Sequence, residues 1–116
     1  MKKIFPALCA LLLCGCWFMN KPQAVVIATD QDRAGSLITA LRSQDSALDP
    51  ARIEVKLVKR DDSAGVVKAL DWASEKGVRT VGIDDDCYRP GDALVTARLQ
   101  ALRAAGVYVA GMRFSA

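Results

Sequence analysis

The run Ala24-Val25-Val26-Ile27-Ala28, followed at once by Thr29-Asp30-Gln31-Asp32-Arg33, decides the fold. Its five apolar residues are uninterrupted by polar ones, and three of them are β-branched. A strand with one wet face would alternate. An unbroken run marks a strand covered on both faces, as in the interior of a parallel α/β sheet. The acidic segment behind it then falls at the strand's carboxyl end, ahead of a helix.

Downstream the pattern repeats. Arg33 to Ser43 carries Leu37, Ile38 and Leu41 at helical spacing, and Asp45 to Pro50 reads as a turn. Arg52 to Val58 alternates, with Ile53, Val55 and Leu57 on one side and Arg52, Glu54 and Lys56 on the other, which predicts an edge strand. Its basic stretch, Lys56 to Arg60, reads as a solvated face. Ser63 to Lys76 predicts a helix striped by Val66, Val67, Leu70 and Ala73, with Ser63 as N-cap and Gly77 as stop. Val78 to Ile83 predicts a third strand. Asp92 to Ala105 predicts a third helix with Leu94, Val95, Leu99 and Leu102 apolar, and Val107 to Met112 a fourth strand. The order β-α-β-α-β-α-β with short connections favours right-handed crossovers around a parallel sheet. The expected fold is therefore α/β: a three-layer sandwich with a four-stranded parallel sheet in the order 2-1-3-4.

In such a fold every strand ends on the same edge of the sheet, where ligands bind. The loops at that edge read Thr29-Asp30-Gln31-Asp32-Arg33, Lys59-Arg60-Asp61-Asp62 and Asp84-Asp85-Asp86-Cys87-Tyr88-Arg89. Seven of the chain's 13 acids lie there, interleaved with four basic residues. Clustered carboxylates raise one another's pKa, attract cations, or accept hydrogen bonds from hydroxyl-rich ligands. Asp30, Asp32, Asp62, Asp84, Asp86 and Arg89 are the candidate ligand-binding residues. The acids also have a plainer reading, since Asp caps helix N-termini and complements the helix dipole. Asp32, Asp62 and Asp92 fit that role. Tyr88 and Trp72 are candidate stacking aromatics, with Trp72 placed mid-helix and expected in the core or half-buried.

Upstream of the deciding run, Met1-Lys2-Lys3 is a short basic segment and Ile4 to Leu13 is apolar and Leu-rich. Together they have the layout of an export signal. The wider apolar stretch, Ile4 to Met19, is about 16 residues with Pro6 and Gly15 inside it, short of the roughly 20 needed to span a bilayer. The 116-residue chain divides into a signal over 1–15, a linker over 16–23 and one α/β domain over 24–116.

Composition excludes several function classes. The formal charge of +3 includes Lys2 and Lys3, which leave with the signal. No basic run remains for nucleic acid. There is no histidine, and so no Ser-His-Asp triad and no imidazole base or metal ligand. Of the four cysteines, Cys9 and Cys14 fall in the signal, leaving Cys16 and Cys87. Cys87 is expected as a buried thiol, without a histidine to activate it.

Three resemblances sharpen this reading. Leu13-Cys14-Gly15-Cys16 resembles the lipobox of bacterial lipoproteins: an aliphatic residue, two small residues, then the cysteine that is acylated. That implies cleavage before Cys16 and fatty-acyl chains, palmitate among them, on Cys16. It also implies anchorage to a bacterial membrane facing the periplasm. Trp17 in place of aspartate favours the outer membrane over the inner.

Val58-Lys59-Arg60-Asp61-Asp62, Lys76-Gly77-Val78 and Ala105-Gly106-Val107 are similar to the strand ends and turns of the N-terminal lobe of type 1 periplasmic sugar-binding proteins. Ala24 to Asp32 resembles that family's first strand and ligand loop. The resemblance covers one lobe of two. It implies an open sheet edge offering Asp30, Asp62 and Asp84 to a sugar-like ligand or an envelope protein, and a lone lobe suggests a homodimer or a shortened reading frame.

Asp30-Gln31-Asp32 is also similar to the Asp-x-Asp motif of Toprim domains. That alternative implies a magnesium-dependent enzyme using Asp30, Asp32 and Asp84. The expectation that best joins these readings is a lipid-anchored, non-enzymatic binding or interaction domain without a cofactor. A further alternative is an envelope lipoprotein that docks a protein assembly and takes no small ligand.

Overall fold

The computed structural model describes residues 21–111. The signal segment, Cys16 and Met112 lie outside the described residues. β1 (Ala24–Ala28), β2 (Ile53–Leu57), β3 (Thr80–Ile83) and β4 (Tyr108–Gly111) form one all-parallel sheet in the order β2-β1-β3-β4. The helices α1 (Gln31–Gln44), α2 (Ser63–Lys76) and α3 (Ala93–Ala104) cross between them. The expected α/β fold and strand order are those observed. No described helix is long and apolar enough to cross a membrane.

β1 shows why an unbroken apolar run was needed. Successive side chains of a strand point to opposite faces. Ala24, Val26 and Ala28 enter one core with Ala34, Leu37 and Leu41 of α1 and with Leu48. Val25 and Ile27 enter the other with Val66, Leu70 and Ala73 of α2, Val95, Leu99 and Leu102 of α3, and Val81 and Ile83 of β3. One helix covers the first face and two cover the second. All five β1 residues are fully buried.

Each helix begins at an aspartate. Asp30, Asp62 and Asp92 accept from the N–H groups of Arg33, Gly65 and Val95 respectively, satisfying donors that the first helical turn leaves open. Two expectations change here. Ser63 is the first residue inside α2, and Asp62 is its cap. Asp32, expected as a cap, lies inside the first turn of α1, which Asp30 caps. Gly77 ends α2 in the left-handed region at φ 68°, where a Cβ would be strained.

Two leucines also depart from expectation. Leu94 is 62% exposed, because the buried stripe of α3 is Val95, Leu99 and Leu102, one helical face of which Leu94 is not part. Leu57 is 49% exposed at the end of β2. That strand pairs only with β1, so its last inward position is left open on one flank.

Candidate functional site

The carboxyl ends of β1 and β3 lie side by side where the chain order reverses, the crevice in which open α/β sheets bind ligands. Asp84 follows β3 directly, and its N–H donates to the Ile27 carbonyl at 2.8 Å. That bond draws its side chain beneath the β1–α1 loop. Among the described residues Asp84 is the one fully buried charged side chain.

Its partners come from three segments. Arg33 Nη1 donates to Asp84 Oδ1 at 3.0 Å, the Asp86 N–H donates to the same oxygen at 3.2 Å, and Thr29 Oγ1 donates to Oδ2 at 3.2 Å. Burial alone would push the Asp84 carboxyl up. The Asp86 N–H, the hydrogen bond and charge of Arg33, and Thr29 outweigh it and hold the carboxyl below its ordinary value.

Arg33 is correspondingly held protonated more firmly than usual, by its hydrogen bond to Asp84 and then by the charges of Asp84 and Asp86. Its other nitrogen, Nη2, reaches Asp86 Oδ2 at 3.0 Å, which Arg60 approaches at 3.9 Å. The Asp61 N–H donates to the Asp86 carbonyl at 3.0 Å, with Asp61 itself at φ 54°. Arg33 thus clamps the β1–α1 and β3–α3 loops together, and Asp61 ties in the loop after β2.

The candidate residues separate. Asp84 and Asp86 come together through Arg33. Asp30 is exposed and occupied as the α1 cap; Asp32 is exposed two residues on, in the first turn. Asp62 is occupied as the α2 cap. Arg89 is exposed and makes no ion pair with these acids among the described residues.

Carboxylate oxygens of Asp84, Asp85 and Asp86 lie within 4.8 Å of one another, the one such trio among the described residues. It is not the trio Asp30, Asp32 and Asp84 that the Toprim resemblance implies. Hard oxygen donors of this kind suit magnesium or calcium, but two of the three acids already share the Arg33 guanidinium.

Cys87 closes the turn after Asp84. Its thiol is fully buried, as expected, and is pushed up to about 12 by burial and by the negative charges of Asp84 and Asp86. Tyr88 is buried in the same core. Trp72 is half-buried on α2, away from this edge, with Lys56 Nζ 4.2 Å from its ring centroid.

The residue that sequence reasoning missed is Arg33. A signal was present: first helical turns favour acids, because the dipole there is positive. An arginine in that turn calls for a carboxylate partner. No protein-family model, curated protein or solved structure matches the chain.

Proposed function

We propose that this chain is a membrane-anchored envelope lipoprotein, acylated at Cys16 and facing the periplasm, whose small α/β domain is a non-catalytic binding or interaction module. The anchor rests on the order of basic segment, apolar segment and Leu13-Cys14-Gly15-Cys16. The observation that carries the non-catalytic reading is the Arg33 clamp. The crevice where a ligand fold would place its reacting groups is filled by a guanidinium saturating Asp84 and Asp86.

The titration properties of this edge agree. Asp84 is held below the ordinary carboxyl range and Cys87 lies near 12, so neither changes its proton near neutral pH, and there is no histidine to do so. What remains at the edge is a rigid, charged rim suited to hydrogen bonding.

Cell fractionation of the full chain tests the anchor. The wild type is expected in the membrane fraction with a fatty-acyl label on it. Cys16→Ala should lose the label and keep its signal uncleaved; a Cys16→Ala protein that still takes up label overturns acylation at that residue.

A second reading is favoured by the sheet order and by the alternation of acids and guanidinium at the crevice. In it the domain is a single-lobe relative of sugar-binding proteins, and a hydroxyl-rich ligand meets Asp86 and Arg33, the part-exposed members of the cluster. Thermal unfolding separates the two readings, since a ligand of the native state raises the midpoint by mass action. With the chain from residue 16 onward carrying Cys16→Ser, the interaction reading expects no shift with monosaccharides or magnesium. A saturable shift abolished by Asp86→Asn would favour the ligand.

A further inference from the structure

Every lysine between residues 21 and 111 lies on one flank of the domain. Two grooves, of about 470 and 500 Å³, run along the free edge of β2 beside α2 and share Trp72 as a common wall. Lys21 and Lys76 line the first. Lys56, Lys59 and Lys68 line the second. Arg52 lines the first groove with Lys21 and Lys76, whereas Arg33, Arg60, Arg79 and Arg98 each pair with an aspartate. Among these lysines only Lys56 makes an ion pair among the described residues, with Glu54 at 3.8 Å. Lys56 and Lys76 instead lie over Trp72, 4.2 and 5.9 Å from its ring centroid. The acids Glu54, Asp62 and Glu75 also line the grooves, with Asp62 held by its helix cap.

The same flank is where the chain comes in from Cys16. Lys21 is five residues on from that cysteine, so its backbone can lie at most about 17 Å away. It is also fixed to the domain. Arg52 Nε donates to the Lys21 carbonyl at 2.8 Å, the Gln23 N–H donates to the Arg52 carbonyl at 2.8 Å, and the Arg79 N–H donates to the Gln23 carbonyl at 3.0 Å. A lipid on Cys16 would hold the mouth of the first groove within one short, pinned tether of the bilayer surface.

We infer that the lysine flank around Trp72 docks against the anionic phospholipid surface to which the chain is tethered, fixing the orientation of the domain on the membrane. This rests on the acylation of Cys16 proposed above. Lysines close to an anionic surface each strengthen attachment by about fivefold, and indole rings favour the headgroup level. The tether supplies proximity and the lysines supply orientation.

The test uses the full chain purified from membranes. Intact mass first reports whether Cys16 is acylated. Trp17→Phe then leaves Trp72 as the lone tryptophan of the two in the chain. Its quenching by a trace of nitroxide-headgroup phosphatidylcholine is read on vesicles with and without phosphatidylglycerol. We expect at least about twofold stronger quenching on the anionic vesicles, reversed by about 0.5 M salt through screening and by Lys56→Gln/Lys59→Gln/Lys68→Gln. Lys59→Gln/Lys68→Gln, which spares the part-buried Lys56 beside Trp72, should reduce the quenching in the same direction with an unchanged circular-dichroism melt.

Acylated protein whose quenching ignores lipid charge, salt and the lysines overturns the inference and leaves the anchor standing. Salt-sensitive quenching without acylation supports the flank's affinity and overturns the anchor. Shielding of Trp72 that rises with protein density on neutral vesicles indicates a second copy on this flank and also overturns the inference.

Discussion

Asp84 concentrates the chemistry of this domain in one side chain. A buried carboxylate is tolerable only when its lone pairs are filled, and here Thr29, Arg33 and the Asp86 N–H fill them. Asp84→Asn keeps the shape but turns an amide N–H₂ toward at least one donor. The expected loss is about 1–3 kcal/mol of unfolding free energy in urea, the range for leaving a buried hydrogen-bonding partner unsatisfied. Arg33 is partly solvated, which holds the electrostatic share at the lower end of that range.

Because the native Asp84 carboxyl lies below its ordinary value, its stabilisation is fully present above about pH 4, the unfolded carboxyl value. It fades as the pH falls through the lower native value. The wild-type urea midpoint should therefore drop in acid, and Asp84→Asn should flatten part of that drop. Asp92, lowered by the Val95 N–H and the Ser63 hydroxyl, would account for a further part. Cys87 carries the complementary prediction. A thiol near 12 with no exposure should resist iodoacetamide at pH 8 in the folded protein and react once urea unfolds it. Asp84 was legible in the sequence as a candidate, but its burial was not: seven acids at three strand ends look alike there, and the backbone bond to Ile27 with the bonds from Thr29 and Arg33 distinguishes the one that is buried.

At the scale of elements, α2 couples its cap to its first turn. A Cβ on Gly65 would lie 2.4 Å from Asp62 Oδ2, so the glycine leaves space for the capping carboxylate to fold over the helix end. Asp62→Ala should cost about 1 kcal/mol. Gly65→Ala alone should be near neutral, since a helix-propensity gain of about 1 kcal/mol is offset by displacement of the cap. In the Asp62→Ala background the same change should stabilise, so a double-mutant cycle is expected to show coupling. Additive values would break this account.

Element identity was legible because the unbroken apolar run of β1, the period of two in β2 and the period of 3.6 in α2 are written plainly. The boundaries and caps were less so: an aspartate followed by a serine, as at Asp62-Ser63, offers two adequate caps, and backbone geometry chooses. Leu94 misled because a helix with apolar residues at adjacent positions fits more than one stripe, and packing against α2 selects Val95, Leu99 and Leu102.

For the whole molecule, β1 is shared by both cores. Its residues alternate between the cluster under α1 and the cluster under α2 and α3. The two faces should therefore unfold together in one transition. Ile27→Ala, which empties a fully buried side chain, is expected to cost about 2–5 kcal/mol against a total of about 5–15. Fluorescence of Trp72 and far-ultraviolet circular dichroism should still report coincident urea transitions. Separate midpoints would show that the layers are independent.

The placement of Lys21 to Gln23 has a mechanical side. Gln23 is bonded to the backbone on either side of β1, at Arg52 and Arg79, and Lys21 to the Arg52 side chain, just before the central strand begins. Tension between a lipid at Cys16 and a partner gripping the far rim would run lengthwise down β1. It would be shared as shear by the parallel ladders to β2 and β3, which must slip together before the strand can leave. The fourth strand, by comparison, is held by one ladder among the described residues, to β3. An anchor at Cys16 would thus load the central strand along its length, across two ladders.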